Sequence, residues 1–291
     1  MSERLLICAD LGRTLIPNGP QPESGDARRR FAALAARPEV TLAYVSGRQR
    51  AQIEDALVTY RLPTPDFVIG DVGTSICRVG QELAWTRLVA WEDLIARDWG
   101  GHTHGELRAL LKDIPTLRLQ ELGRQGRLKL SFYLPLYAEI DELAAAIRER
   151  LEPLGIRSRL VWSVDDIADV GLLDVLPASA SRLRAIEALM RELDCAPGQT
   201  VFCGDSGSDL EILASRIPSV LVANSRPDVQ ELALELAEEA GTLAQLHIAE
   251  GGFLGMNGNY AGGVLEGIAH FHPAIAEWLR APPNGCGASG A

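Results

Sequence analysis

Apolar residues cluster in short unbroken runs along the first seventy positions. Leu5-Leu-Ile-Cys-Ala9 has no polar alternation and stops at Asp10; Val40-Thr-Leu-Ala-Tyr-Val45 stops at Ser46; Phe67-Val-Ile69 stops at Gly70-Asp71. Such runs predict strands buried on both faces of a parallel sheet. Between them, residues 26–36 carry Ala27, Phe31, Leu34 and Ala35 at helical spacing before Pro38, and residues 49–60 also read as a helix. Strand, helix, strand, helix, strand predicts a doubly wound, Rossmann-like α/β fold.

The pattern changes from about residue 80. Residues 117–120 and 127–134 alternate with period two, Leu128, Leu130 and Phe132 facing one way and Lys129, Ser131 and Tyr133 the other. Alternation of this kind predicts an antiparallel sheet with one wet face, so Lys129 either reaches toward a substrate or is simply solvated. A helical stretch over 91–111 broken at Gly100-Gly101, a helix over 140–151 and strands over 158–164 and 171–176 complete an α+β segment. The expected organisation is a smaller domain, 80–177, inserted into a core formed by 1–79 and 178–291. The core resumes with a helix opening at Arg182, strands over 200–203 and 219–222, a helix over 227–241 and a short helix ending at Phe271. The tail, 281–291, is expected to be disordered.

Composition narrows the function. The chain has 291 residues and a formal net charge of -11. That balance argues against a nucleic-acid or anionic-membrane partner, each of which needs a concentrated basic face. The five cysteines, at 8, 77, 195, 203 and 286, show no CxxC or zinc spacing and no disulfide framework, which predicts a cytoplasmic protein. No apolar run reaches the length of a membrane span, and the first run is too short and too weakly flanked by charge for a signal peptide.

The run-ending residues carry the candidate chemistry. Asp10, followed by Gly12 and Thr14, sits where open α/β sheets bind ligands, which suits a nucleophile with a phosphate-holding loop or a turn-forming aspartate. Ser46-Gly47 between strand and helix forms a phosphate seat or a helix N-cap. Gly204-Asp205-Ser-Gly207-Ser-Asp209 places two carboxylates on a glycine-rich strand end, as a hard divalent cation requires or as an Asp-Ser-Gly turn supplies. His270 and His272 have no suitably spaced acidic partner and are expected to pack or face solvent.

Asp10-Leu-Gly-Arg-Thr14, Ser46-Gly-Arg48, the basic Arg182 and Gly204-Asp205-Ser-Gly-Ser-Asp209 resemble the four ordered motifs of the haloacid dehalogenase (HAD) superfamily. Asp71-Val-Gly-Thr74, Leu173-Asp-Val-Leu-Pro177, Val222-Ala-Asn224 and Ala261-Gly-Gly-Val-Leu-Glu-Gly-Ile-Ala-His-Phe271 resemble its sucrose-phosphate phosphatase branch, whose members carry an α/β (type C2) cap between the second and third motifs. The resemblance spans nearly the whole chain. It implies an aspartyl-phosphate on Asp10, phosphoryl oxygens held by Thr14, Ser46, Gly47 and Arg182, and Mg2+ on Asp10, the Gly12 carbonyl, Asp205 and Asp209.

Three positions depart from the family pattern. Gly12 stands where an acid–base aspartate is expected, Arg182 where lysine is expected and Ser208 where asparagine is expected. Two functions follow: a magnesium-dependent sugar-phosphate phosphatase, with sucrose 6-phosphate the first substrate to try, or a catalytically silent binder of a sugar phosphate or of a sucrose-phosphate synthase.

Overall fold

The computed structural model describes residues 4–165 and 168–281. Residues 281–291, expected to form a disordered tail, lie outside the described residues apart from Ala281. The chain divides into two compact units, one comprising residues 1–46, 53–67 and 190–291, the other residues 47–52 and 68–189.

The first unit is built on parallel strands in the order Leu246–Ile248, Ser219–Leu221, Thr200–Gly204, Leu5–Asp10, Val40–Val45. The unbroken runs behave as their composition requires, since Leu6, Ile7, Cys8, Ala9, Val201, Phe202 and Cys203 are all fully buried. From Leu5–Asp10 the chain first winds to Val40–Val45 on one side and later returns to Thr200–Gly204 on the other. The carboxyl end of Leu5–Asp10 is therefore the topological switch point, where α/β folds open a crevice for ligands. The helix Ala27–Ala35 buries Ala27, Phe31 and Leu34 and packs against the helix Ala261–Phe271. Periodicity missed the strand Leu246–Ile248 and the helix Pro273–Arg280. A three-residue strand is too short to show alternation, and the last helix follows Phe271 without a break in apolar character, through Pro273 at its first turn.

The second unit holds the hairpin Ser75–Val79 and Trp85–Arg87, which the change of pattern near residue 80 obscured. It also holds an antiparallel sheet in the order Arg118–Leu119, Leu130–Leu134, Val170–Pro177, Ser158–Asp165. Gly100 and Gly101 take positive φ and end the first helical stretch, and Thr103 starts the helix His104–Leu111 with a capping box to Glu106. Leu143, Ile147 and Leu151, four apart on the helix Ile140–Leu151, bury one stripe against this unit's core.

The wet face expected along 127–134 is corrected. Leu128, Leu130 and Phe132 are buried as expected, but so are Lys129 and Ser131, with only 8% and 1% of their surface exposed. Tertiary partners cover them: Lys129 Nζ lies 3.4 Å from Asp71 Oδ1, and the Ser131 hydroxyl donates to Asp174 on the neighbouring strand. A buried ammonium and a buried hydroxyl are tolerated because each has a partner.

Candidate active site

Strand register assembles the candidate residues of the first unit. Ala9 pairs with Cys203 and Asp10 with Val45, so Asp10, Ser46 and Asp205 leave adjacent strands within two residues of one another at the same sheet edge. Neighbouring strands are about 4.8 Å apart, so one small ligand can touch all three ends. Ser46 and Asp205 are buried, Asp209 is fully buried, and Asp10 is half-buried.

The loop after Thr200–Gly204 is held by its own side chains. Asp209 Oδ2 accepts from the Ser206 amide at 3.3 Å and from the Ser206 hydroxyl at 3.1 Å, and the Ser206 and Ser208 hydroxyls are 2.8 Å apart. Ser208 thus joins a hydroxyl pair in place of the amide expected there. A Cβ on Gly204 would stand 2.5 Å from Asp209 Oδ2, so any larger residue there would displace the Asp209 carboxylate. The Thr14 hydroxyl donates to Asp205 Oδ1 at 3.3 Å.

Sequence reasoning missed Arg13. Its Nε lies 3.2 Å from Asp205 Oδ2, and its terminal nitrogen donates to the Asn224 carbonyl at 3.0 Å. Asn224 in turn donates to the Arg13 carbonyl at 2.7 Å and accepts from the Tyr260 amide at 2.7 Å. Asn224 was visible as part of Val222-Ala-Asn224; no local pattern linked it to Arg13, 211 residues away. Burial, then the nearby Asp209, raises the Asp205 carboxyl to about 6, with Arg13 and the Thr14 hydroxyl opposing the shift.

That shift carries a pH dependence. An unfolded aspartate titrates near 4, so the folded state holds this proton more tightly, and the associated stability, complete below pH 4, is lost as pH rises through 6. In EDTA at pH 8, Asp205→Asn is therefore expected to be more stable than the parent by about 1–3 kcal/mol, the difference vanishing below pH 4. Urea denaturation at the two pH values measures it; equal stability at pH 8 would show that the charged carboxylate costs nothing.

The candidates Gly47, Lys129 and Arg182 belong to the second unit. Gly47 is exposed, following Ser46 directly in the chain. Arg182 opens the helix Arg182–Leu193, whose Arg184 amide donates to the Ser181 hydroxyl at 3.1 Å. A cation at the positive end of a helix opposes the helix dipole. Beside it runs the loop Asp71-Val72-Gly73, with three successive positive φ values of 50°, 58° and 91°. A Cβ on Gly73 would lie 2.3 Å from the Ser181 carbonyl and 2.6 Å from the Arg182 amide nitrogen, both backbone atoms. Gly73→Ala is expected to destabilise the fold by about 1–3 kcal/mol or to displace the start of the helix; an unchanged melting temperature with unchanged Arg182 backbone shifts would contradict this packing. Burial raises the Asp174 carboxyl, while Lys129 and the Ser131 hydroxyl lower it. A cavity of about 440 Å³ in this unit is lined by Arg48, Gln49, Arg50, Trp85, Arg87 and Gln125, among others.

The donor chemistry of Asp205 and Asp209 fits a hard divalent cation: they are oxygen donors on one tight loop, both buried, and the charge of one raises the other's carboxyl. As the side chains stand, no group of three or more His, Cys, Asp or Glu residues is gathered to hold a metal among the described residues.

A sucrose-phosphatase from Synechocystis, solved with sucrose and phosphate, shares this fold with a TM-score of 0.69 at 24% identity, over 93% of this chain and 98% of that one. Residues 3–272 match the sucrose-6F-phosphate phosphohydrolase family, and the chain belongs to that family. A HAD-like hydrolase of Nitrosococcus oceani is 46% identical over 280 residues, 96% of this chain and 75% of the relative. Mannosylfructose-phosphate phosphatase of Agrobacterium fabrum is 28% identical over 91% of this chain and 96% of its own length. Sucrose-phosphatase 1 of Nicotiana tabacum is 26% identical, and the chain spans 59% of that protein's length. Among the described residues, no helix is long and apolar enough to cross a membrane.

Proposed function

We propose that this chain is a HAD-type phosphomonoesterase acting on a sugar phosphate, with sucrose 6-phosphate and mannosylfructose phosphate the substrates to test first. The observation that carries the reading is the register of three parallel strands, which delivers Asp10, Ser46 and Asp205 to one edge at the switch point. Family membership and the names of the relatives support the substrate class. The cavity in the second unit has the volume of a small-molecule pocket, for which about 300–1,000 Å³ is usual, and its arginines and glutamines suit a polar ligand.

In this reading an Asp10 oxygen forms a bond to phosphorus as the bond from phosphorus to the sugar oxygen breaks, and water then cleaves the aspartyl-phosphate. Ser46 holds a phosphoryl oxygen, and the resemblance assigns the same task to the Gly47 amide and Arg182; the Thr14 hydroxyl donates to Asp205 Oδ1 and steadies that carboxylate instead. A divalent cation, when bound to Asp10, the Gly12 carbonyl, Asp205 and Asp209, supplies neutralisation of the phosphoryl charge. Gly12 brings no carboxyl group, so the departing sugar oxygen takes its proton from water and turnover is slow.

Phosphate release from the two sugar phosphates, with Mg2+ and with EDTA, tests the activity. Release from at least one of them, above that from a simple aryl phosphate, is expected. No release from any phosphate ester would overturn the reading. The missing carboxyl at position 12 favours a second one, a silent sugar-phosphate binder or a partner of a sucrose-phosphate synthase, which predicts a thermal shift with phosphate analogues and no hydrolysis.

A further inference from the structure

We propose that Arg13 is a built-in rival of the divalent cation: its guanidinium takes the place on Asp205 that a metal would occupy, so that this chain binds Mg2+ weakly and only with Arg13 displaced. The inference rests on the metal-assisted reading of the site and concerns a residue to which that reading gives no role.

The Arg13 guanidinium is a positioned cation, although its side chain keeps 36% of its surface exposed. The Arg13 backbone sits at φ 57°, uncommon for a residue with a side chain. It is held there by its amide, which donates to Asn18 Oδ1 at 2.8 Å and to the Ile16 carbonyl at 3.1 Å, and by its carbonyl, which accepts from Asn224 at 2.7 Å. The guanidinium is braced by the Asn224 carbonyl at 3.0 Å, and Asn224 is itself 2% exposed and tied to the Tyr260 amide. The group so positioned meets Asp205 Oδ2 at 3.2 Å while the Thr14 hydroxyl meets Oδ1 at 3.3 Å, so protein donors engage both oxygens of the carboxylate. Asp205 is 7% exposed, and a buried carboxylate of this kind needs a counter-charge. In this chain the counter-charge is covalently attached.

The local charge balance points the same way. The stretch Asp10–Thr14 carries one carboxylate and one guanidinium, a formal charge of zero, where the family pattern has two aspartates. A divalent cation approaching Asp205 loses the attraction of the absent carboxylate and meets the repulsion of Arg13. The absence of any gathered group of three acidic ligands among the described residues accords with this arrangement.

The test is a calorimetric titration of MgCl2, without substrate, into the full chain and three variants: Arg13→Asn, Arg13→Lys, and Arg13→Asn combined with Asp205→Asn. Asparagine tolerates positive φ and removes a positive charge beside Asp205, and a charge that close to a carboxylate changes its affinity for a cation such as the proton by roughly 10-fold or more. Arg13→Asn is therefore expected to bind Mg2+ 10–100-fold more tightly than the parent. Arg13→Lys should remain a weak binder, and the double variant should lose the gain. If Arg13→Asn does not fold, Arg13→Gln provides the same readout. Equal affinity in the parent and the neutral variants, or no Mg2+ binding by any of them, overturns the proposal. A purely structural Arg13 would alter the melting temperature and leave Mg2+ affinity where it was. The phosphatase reading is judged separately by phosphate release: tighter Mg2+ binding without hydrolysis overturns that reading alone, and hydrolysis with equal Mg2+ affinity overturns the role of Arg13 alone.

Discussion

Gly12→Asp is expected to raise the turnover of a sugar phosphate by roughly 10²–10⁴, the range that a positioned general acid–base group supplies. The backbone accommodates the change, because Gly12 is not among the residues at positive φ. An aspartate there would protonate the sugar oxygen as its bond to phosphorus breaks and then activate the water that cleaves the aspartyl-phosphate. The effect should fall on kcat and leave KM nearly unchanged, since the carboxyl acts on protons in motion in the transition state and adds no ground-state contact to the phosphate. Steady-state kinetics on the parent and Gly12→Asp separates the outcomes. Turnover that stays at background in Gly12→Asp would favour the silent binder, with Arg182 and Ser208 having let the site drift out of alignment. A parent that already turns over at tens per second would refute the impairment and require another proton donor.

Asp10→Asn is expected to abolish whatever turnover exists, and its effect is best read in the Gly12→Asp background, where there is the most activity to lose. Removing the nucleophile of a hydrolase has cost about 10⁶ in turnover where the whole range could be measured, so the double variant should return to background. Phosphate binding should persist, because asparagine removes a charge that repels the phosphate dianion. If Asp10 is the nucleophile, the gain from Gly12→Asp depends on it, and the two substitutions are strongly non-additive. Phosphate release and, in parallel, trapping of an acid-stable phosphoprotein measure this. Retention of more than a few percent of the Gly12→Asp rate in the double variant would remove Asp10 from the mechanism.

These expectations draw unequally on the sequence and on the folded chain. Unbroken apolar runs ending in Asp10, Ser46 and Asp205 already place three candidate side chains at strand carboxyl ends, because a strand buried on both faces leaves no other position for a polar group. Gly12 is conspicuous only through the resemblance to the HAD motif, which has an aspartate at that position. Helix phase is also local, and Phe31 and Leu34, like Leu143, Ile147 and Leu151, are buried where their spacing requires.

What periodicity could not supply is the identity of partners distant in the chain. Lys129 and Ser131 occupy the polar side of an alternating strand, which a sequence pattern assigns to water; Asp71 and Asp174 cover them instead, and only the fold supplies those groups. The sequence by itself thus determined the α/β class and the strand-end positions of the candidate residues, both properties of contiguous segments. Only the tertiary structure decided that Arg13 would meet Asp205, 192 residues further along, and be braced by Asn224. The physical reason is that a segment's own pattern fixes which positions of a strand or helix are apolar, whereas the burial and charge environment of its polar groups are set by residues that the chain brings together only when it has folded.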